Sequence, residues 1–91
     1  MSRTRNYHED SLAVQRRYFD AVEILNSENR LLGGMSGFLD MSGIDKRNWR
    51  TQKCDIGRGY FQVSWLVPLV KYYNVSAKWL LTGEGKMFKR I

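Results

Sequence analysis

One cysteine, one proline and one histidine are all that this 91-residue chain holds of those three types. With Cys54 alone, no intrachain disulfide can form and no cysteine cluster can hold zinc. His8 has no second histidine to share a metal or a proton with, and it reads as an exposed bystander near the N-terminus. No apolar run approaches the ~20 residues of a membrane span. The opening MSRTRNYHED lacks the apolar segment of a signal peptide, so the expected compartment is the cytoplasm. Patterns of the GxSxG, HExxH, P-loop and GxGxxG kinds are missing, and GGMSG and TGEGK do not have phosphate-loop spacing. The chain is therefore expected not to be an enzyme and to use neither a cofactor nor a metal.

What it has is positive charge and aromatic rings. Lys and Arg number 15 against 9 acids, a net charge of +6. That balance favours an anionic partner, nucleic acid or a membrane surface, with plain solubility as the ordinary alternative. Hydrophobic residues at 43% and aromatics at 13% suffice for the core of one small domain. Trp49, Trp65 and Trp79 all fall in the second half of the chain. The densest cluster of charge is GIDKRNWRTQK (43–53), where four basic side chains surround Trp49 and Asp45 is the one acid.

Along the chain, residues 1–10 read as a flexible arm carrying Arg3 and Arg5, which are either idle or reach into a minor groove. Residues 11–88 read as the domain and 89–91 as a tail, with Lys86, Lys89 and Arg90 as solvated charge. From Ser11, a candidate N-cap, to Asn26, the apolar residues Tyr18, Ala21, Val22 and Leu25 recur at helical steps. Arg16, Arg17, Asp20 and Glu23 take the other side. The paired glycines of ENRLLGG break that pattern. A short helix over 36–42 follows, with Phe38, Leu39 and Met41 as its apolar members. Gly43 suits the left-handed residue that ends a helix, and Asp45 is placed to cap the next, over 46–53.

A fourth helix is expected over 64–73. Pro68 falls in its first turn if Ser64 is the cap, and kinks it if it starts earlier. Asn74 ends this helix, Ser76 caps a short fifth, and Gly83 stops that one. Two-residue alternation is nowhere sustained, so the expected fold is all-α. Trp65 and Trp79 read as core, Tyr72 and Tyr73 as either packing or partner surface, and Cys54 as a bystander.

On a helical wheel at about 100° per residue, pointing Trp49 inward sends Arg47, Thr51 and Cys54 outward. Asn48 and Arg50 take the shoulders, while Lys46, Gln52 and Lys53 lie nearer the Trp side with stems that can reach out. Arg, Asn and Thr suit base edges in a DNA groove, and flanking Lys suits phosphates. A solvated helix face is the bland alternative.

The segment FLDMSGIDKRNWRTQK resembles the helix-turn-helix of the phage-repressor-like (Cro-type, XRE-like) DNA-binding family. Gly43 stands at the turn, Ile44 just after it, and Trp49 at the inward place of the recognition helix. YYNVSAKWLLTGEGKMF is similar to that family's ending, and the likeness covers about residues 12–88. It implies a compact five-helix, lambda-repressor-like domain that binds double-stranded DNA as a homodimer and represses by occupying an operator. The family's relatives act in prophage or mobile-element control, and some carry a further C-terminal domain.

Carried over by position, base reading falls to Lys46, Arg47 and Thr51 with Asn48 and Arg50 beside them. Backbone contacts fall to Ser36, Lys53, Arg58, Tyr60, Gln62 and Ser64. Leu39 stands where the family has Ala or Gly, which is expected to widen the helix crossing. Gln52 stands where an apolar residue is common, Met35 and Ser36 replace a phosphate-clamping Gln, and the loop before the second helix looks long. The rival reading is a protein-interaction module derived from the same fold that no longer reads DNA.

Overall fold

In a computed structural model, residues 9–56 and 61–89 are described. Arg3, Arg5, His8, Arg58, Tyr60 and Arg90 lie outside them. Five α-helices follow one another: α1 (Glu9–Ser27), α2 (Gly34–Ser42), α3 (Lys46–Cys54), α4 (Leu66–Tyr72) and α5 (Ala77–Thr82). A 3-10 turn, Val63–Trp65, leads into α4. Among the described residues the sole extended pairing is one antiparallel bridge between Val75 and Phe88, so the chain is all-α there.

α1 is the element on which the others rest. Gln15, Tyr18, Phe19, Ala21, Val22 and Leu25 are buried along one stripe, and each fully buried Leu or Val contributes about 1.5–3 kcal/mol. Acids at Glu9 and Asp10 suit the positive end of the helix. Ser11 lies inside the first turn and is not the cap expected of it. Residues 9 and 10, read as part of the arm, are helical, and the rest of that segment lies outside the described residues. Arg17 also departs from expectation. Its guanidinium donates from Nε to the Leu80 carbonyl at 2.9 Å and from Nη2 to the Leu81 carbonyl at 3.2 Å. It thus supplies donors to the negative end of α5.

Residues 28–33 join α1 to α2, an ordinary length for a helix connection. α2 starts two residues earlier than the spacing suggests. It begins beside Gly37, where an added Cβ would meet the Leu32 carbonyl oxygen at 2.6 Å. A side chain there would force backbone apart. Phe38 and Leu39 are buried, whereas Met41 is 45% exposed and does not join the core. Leu39 is accommodated at 3% exposure, and its carbonyl accepts the Ile44 N–H at 3.0 Å across the turn.

The second half follows local rules closely. Gly43 adopts φ 71, the left-handed conformation that ends α2. Asp45 then caps α3, accepting the Asn48 N–H on Oδ2 at 2.9 Å. Ser76 caps α5 by accepting the Trp79 N–H, and Gly83 ends it at φ 80. The stretch over 64–73 is split. Pro68 lacks the N–H that an α-helix would direct at the Ser64 carbonyl; ahead of it the backbone tightens into the 3-10 turn, the Trp65 N–H donating to the Gln62 carbonyl at 3.0 Å and the Leu66 N–H to the Val63 and Ser64 carbonyls. Ser64 is therefore inside that turn and Gln62 precedes it. Tyr73 packs on Phe38, with ring centroids 5.9 Å apart, and its hydroxyl accepts the Leu32 N–H at 3.2 Å. Tyr72 stays exposed. Trp65 is buried and Trp79 half-buried against the core. Lys89, read as tail, donates its N–H to the Asn74 carbonyl at 2.8 Å.

Candidate nucleic-acid interface

α3 has few helix-forming advantages of its own at nine residues, so what holds it must be its cap and its buried face. The anchor is Trp49, 7% exposed. Its ring meets Phe19 edge-on at 5.2 Å, and its Nε1–H donates to the Tyr18 hydroxyl at 3.0 Å. Tyr18 in turn sits among Phe19, Phe61 and Trp65 at centroid distances of 4.9, 5.3 and 5.9 Å. Four rings, Tyr18 and Phe19 from α1 with Phe61 and Trp65 from the stretch before α4, thus form the bed under the Trp49 ring of α3. Phe19 and Phe61 had no place in the sequence reading, although their apolar character was visible.

Gln52 is the second anchor: it lies on the Trp side as the wheel places it, but its head does not reach outward. It is fully buried, with Nε2 facing the Asn48 oxygen at 3.5 Å. Its position on the wheel, about 60° from Trp49, decides its burial more than its polarity does. Asn48, turned toward Gln52 and half-buried, does not line the outward face.

That outward face is a shallow groove bordered by Lys46, Arg47, Arg50, Thr51 and Cys54, with Asp45 and Asp55 at its ends. Of the five residues expected to read bases, Lys46, Arg47, Arg50 and Thr51 are brought together and exposed. Neither guanidinium has an ion-pair or hydrogen-bond partner among the described residues. Asp45 is occupied in capping. Cys54 is exposed at the far end.

The expected backbone contacts are more scattered. Lys53 turns toward α1, pairing with Glu23 at 3.0 Å and lying 5.5 Å from the Trp49 ring centroid. Such an exposed pair contributes about 0–1 kcal/mol, so the lysine is diverted more than fixed. Ser36 is exposed in the first turn of α2. Gln62 and Ser64 are exposed side by side, the Ser64 hydroxyl donating to Gln62 Oε1 at 3.5 Å. Arg58 and Tyr60 lie outside the described residues. Among the described residues no cluster of three His, Cys, Asp or Glu could hold a metal. No helix there is long and apolar enough to cross a membrane.

Burial pushes the Tyr18 hydroxyl well above its ordinary value of 10.0, and the Trp49 N–H offsets part of that. In the unfolded chain this hydroxyl ionises near pH 10, while in the folded chain it stays neutral. Its contribution is therefore complete below pH 10 and is lost as pH rises beyond it. Tyr18→Phe should remove that share of the alkaline loss. At neutral pH it should lower stability by about 1–3 kcal/mol, because the buried Trp49 N–H loses its acceptor. Urea midpoints of both proteins at pH 7 and pH 11 measure this; an equal alkaline drop in the two proteins would refute it.

The geometry is thus a basic, exposed helix face fixed from beneath by one indole and one amide. No family model, curated protein or solved structure matches the chain.

Proposed function

We propose that this chain binds double-stranded DNA, laying α3 in the major groove, and acts as a helix-turn-helix transcriptional regulator of the repressor kind. α2, the turn at Gly43 to Asp45, and α3 are its helix-turn-helix. Repression follows from occupying the site, with no chemistry. The observation that carries this reading is the pair Arg47 and Arg50, exposed on one face with Thr51 beside them and unpaired among the described residues. Leaving two guanidinium groups without a carboxylate is unhelpful to the chain alone. It suits a surface meant for phosphates and guanine edges, where Arg donates two hydrogen bonds at once.

Roles follow from position. Arg47 and Arg50 read guanines, Thr51 touches a base edge or a thymine methyl, and Lys46 at the start of α3 serves phosphate or base. Asn48 contributes through Gln52 to the set of the helix more than to bases. Gln62, Ser64 and Ser36 are assigned to the sugar-phosphate backbone. Two copies on half-sites about one turn (~34 Å) apart would complete an operator.

The test is binding to a labelled random duplex, followed by anisotropy from low to moderate salt. The expected log–log plot is steep, falling by about 0.9 per phosphate neutralised. A weak, salt-insensitive interaction would instead favour the protein-interaction reading, and absence of binding in low salt would remove the DNA reading.

A further inference from the structure

Of the basic residues on α3, Lys53 alone does not border the outward groove. It follows Arg50 by three positions, so the two stems rise as neighbours on the helix surface. Its ammonium nonetheless turns away from that face. It meets Glu23 Oε1 of α1 at 3.0 Å and lies 5.5 Å from the Trp49 ring centroid. The two meet at a shallow hollow between α1 and the end of α3, which Arg16 and Asp20 also line. Neither Arg16 nor Asp20 has an ion-pair partner among the described residues, so Glu23 is the acid there that engages the lysine.

Both members of the pair are open to water, with side chains 41% and 63% exposed. An exposed pair is weak, and salt screens it further. The lysine charge rides on a flexible four-carbon stem, so its position is a choice between partners. A phosphate beside Arg50 and the Glu23 carboxylate are rivals for the same ammonium. Glu23 has the advantage of being tethered to the same chain, where its effective concentration does not fall on dilution.

We infer that Glu23 is an internal competitor of the DNA backbone, holding Lys53 off phosphate and so subtracting one contact from the α3 face. The inference rests on the DNA reading above. It adds a residue on α1, which has no DNA contact in that reading, that sets affinity and salt response. Phosphate contacts hold every sequence alike, so withholding one weakens binding to all duplexes and leaves base reading to Arg47, Arg50 and Thr51.

The test compares the parent with Glu23→Gln, Lys53→Ala and the double variant, and uses Asp20→Asn as a charge control in the same hollow. All three side chains are exposed, so thermal melts should stay close to the parent. On a random duplex in low salt, Glu23→Gln should tighten binding about threefold to fivefold, the scale of one exposed ion pair. Its log–log salt plot should steepen by about 0.9, one added phosphate. In the Lys53→Ala background the same change should gain no more than Asp20→Asn does. An equal gain with and without Lys53 would mean diffuse charge and overturn the competition, as would no gain at all.

A second arm needs no DNA. Inorganic pyrophosphate is titrated while the Lys53 side-chain signal is followed by NMR. Half of the Lys53 shift should need about threefold less pyrophosphate in Glu23→Gln than in the parent. Equal responses in the two proteins would overturn the competition even where the parent binds duplex well. A parent that binds no duplex, with Lys53 answering pyrophosphate more readily once the Glu23 charge is gone, would leave the competition standing and refute the DNA reading instead.

Discussion

Trp49→Ala is expected to lower unfolding stability by about 3–5 kcal/mol, the range for deleting a buried aromatic side chain. Small domains hold about 5–15 kcal/mol in all, so this single change should take a large share of the total. Two losses add. The ring leaves a cavity against Phe19 and beside Tyr18, and the Tyr18 hydroxyl loses the donor it accepts at 3.0 Å. Trp49→Phe separates them, since it refills most of the space and removes only the N–H. That variant should cost less, with about 1 kcal/mol assigned to the missing hydrogen bond. Urea midpoints with unchanged m-values measure both. A Trp49→Ala loss below about 1 kcal/mol would mean that the indole does not anchor α3. The exposed set of Arg47 and Arg50 would then have no structural basis.

The residues that announced themselves are those whose roles are local. Gly43 and Gly83 need only a left-handed backbone, and Asp45 and Ser76 reach an N–H three residues on. Such roles are written in neighbouring letters. Trp49 pointing inward, and Arg47 and Thr51 pointing out, follow from helical period alone. Two of the misreadings involve partners far away in the chain. Arg17 looked like solvated charge, yet it serves carbonyls 63 and 64 residues distant. Lys53 was free for phosphate on the wheel, but Glu23 stands across from it on another helix. Gln52 sat in the buried sector, but its stem was expected to carry the amide outward, and the amide is buried instead. Period says which way a side chain points; it does not say what waits there.

Tyr18 shows the same limit from the other side. Its burial follows from the stripe on α1, yet its role as acceptor for Trp49 depends on a contact 31 residues away. The buried face of α3 therefore rests on α1 through Tyr18 and Phe19. This is why the outward set can be altered without touching the fold, which makes a clean test of function possible.

Arg47→Glu combined with Thr51→Ala uses that separation. Both side chains are exposed and neither has a partner among the described residues, so stability should stay within about 0.5 kcal/mol of the parent. Duplex binding should fall by at least about 100-fold. A lost Arg–guanine contact accounts for about 1–3 kcal/mol, and a glutamate facing phosphates adds repulsion on top of it. Thr51→Ala removes a further hydrogen bond without disturbing α3, because alanine favours helix more than threonine does. Lys53→Ala is the companion control. Its ammonium already faces Glu23 at 3.0 Å, so its removal should weaken binding far less than the loss of Arg47. Anisotropy titrations in low salt, paired with thermal melts, read both properties for each variant. A folded Arg47→Glu, Thr51→Ala protein that binds duplex as tightly as its parent would show that the α3 face is not where DNA is held.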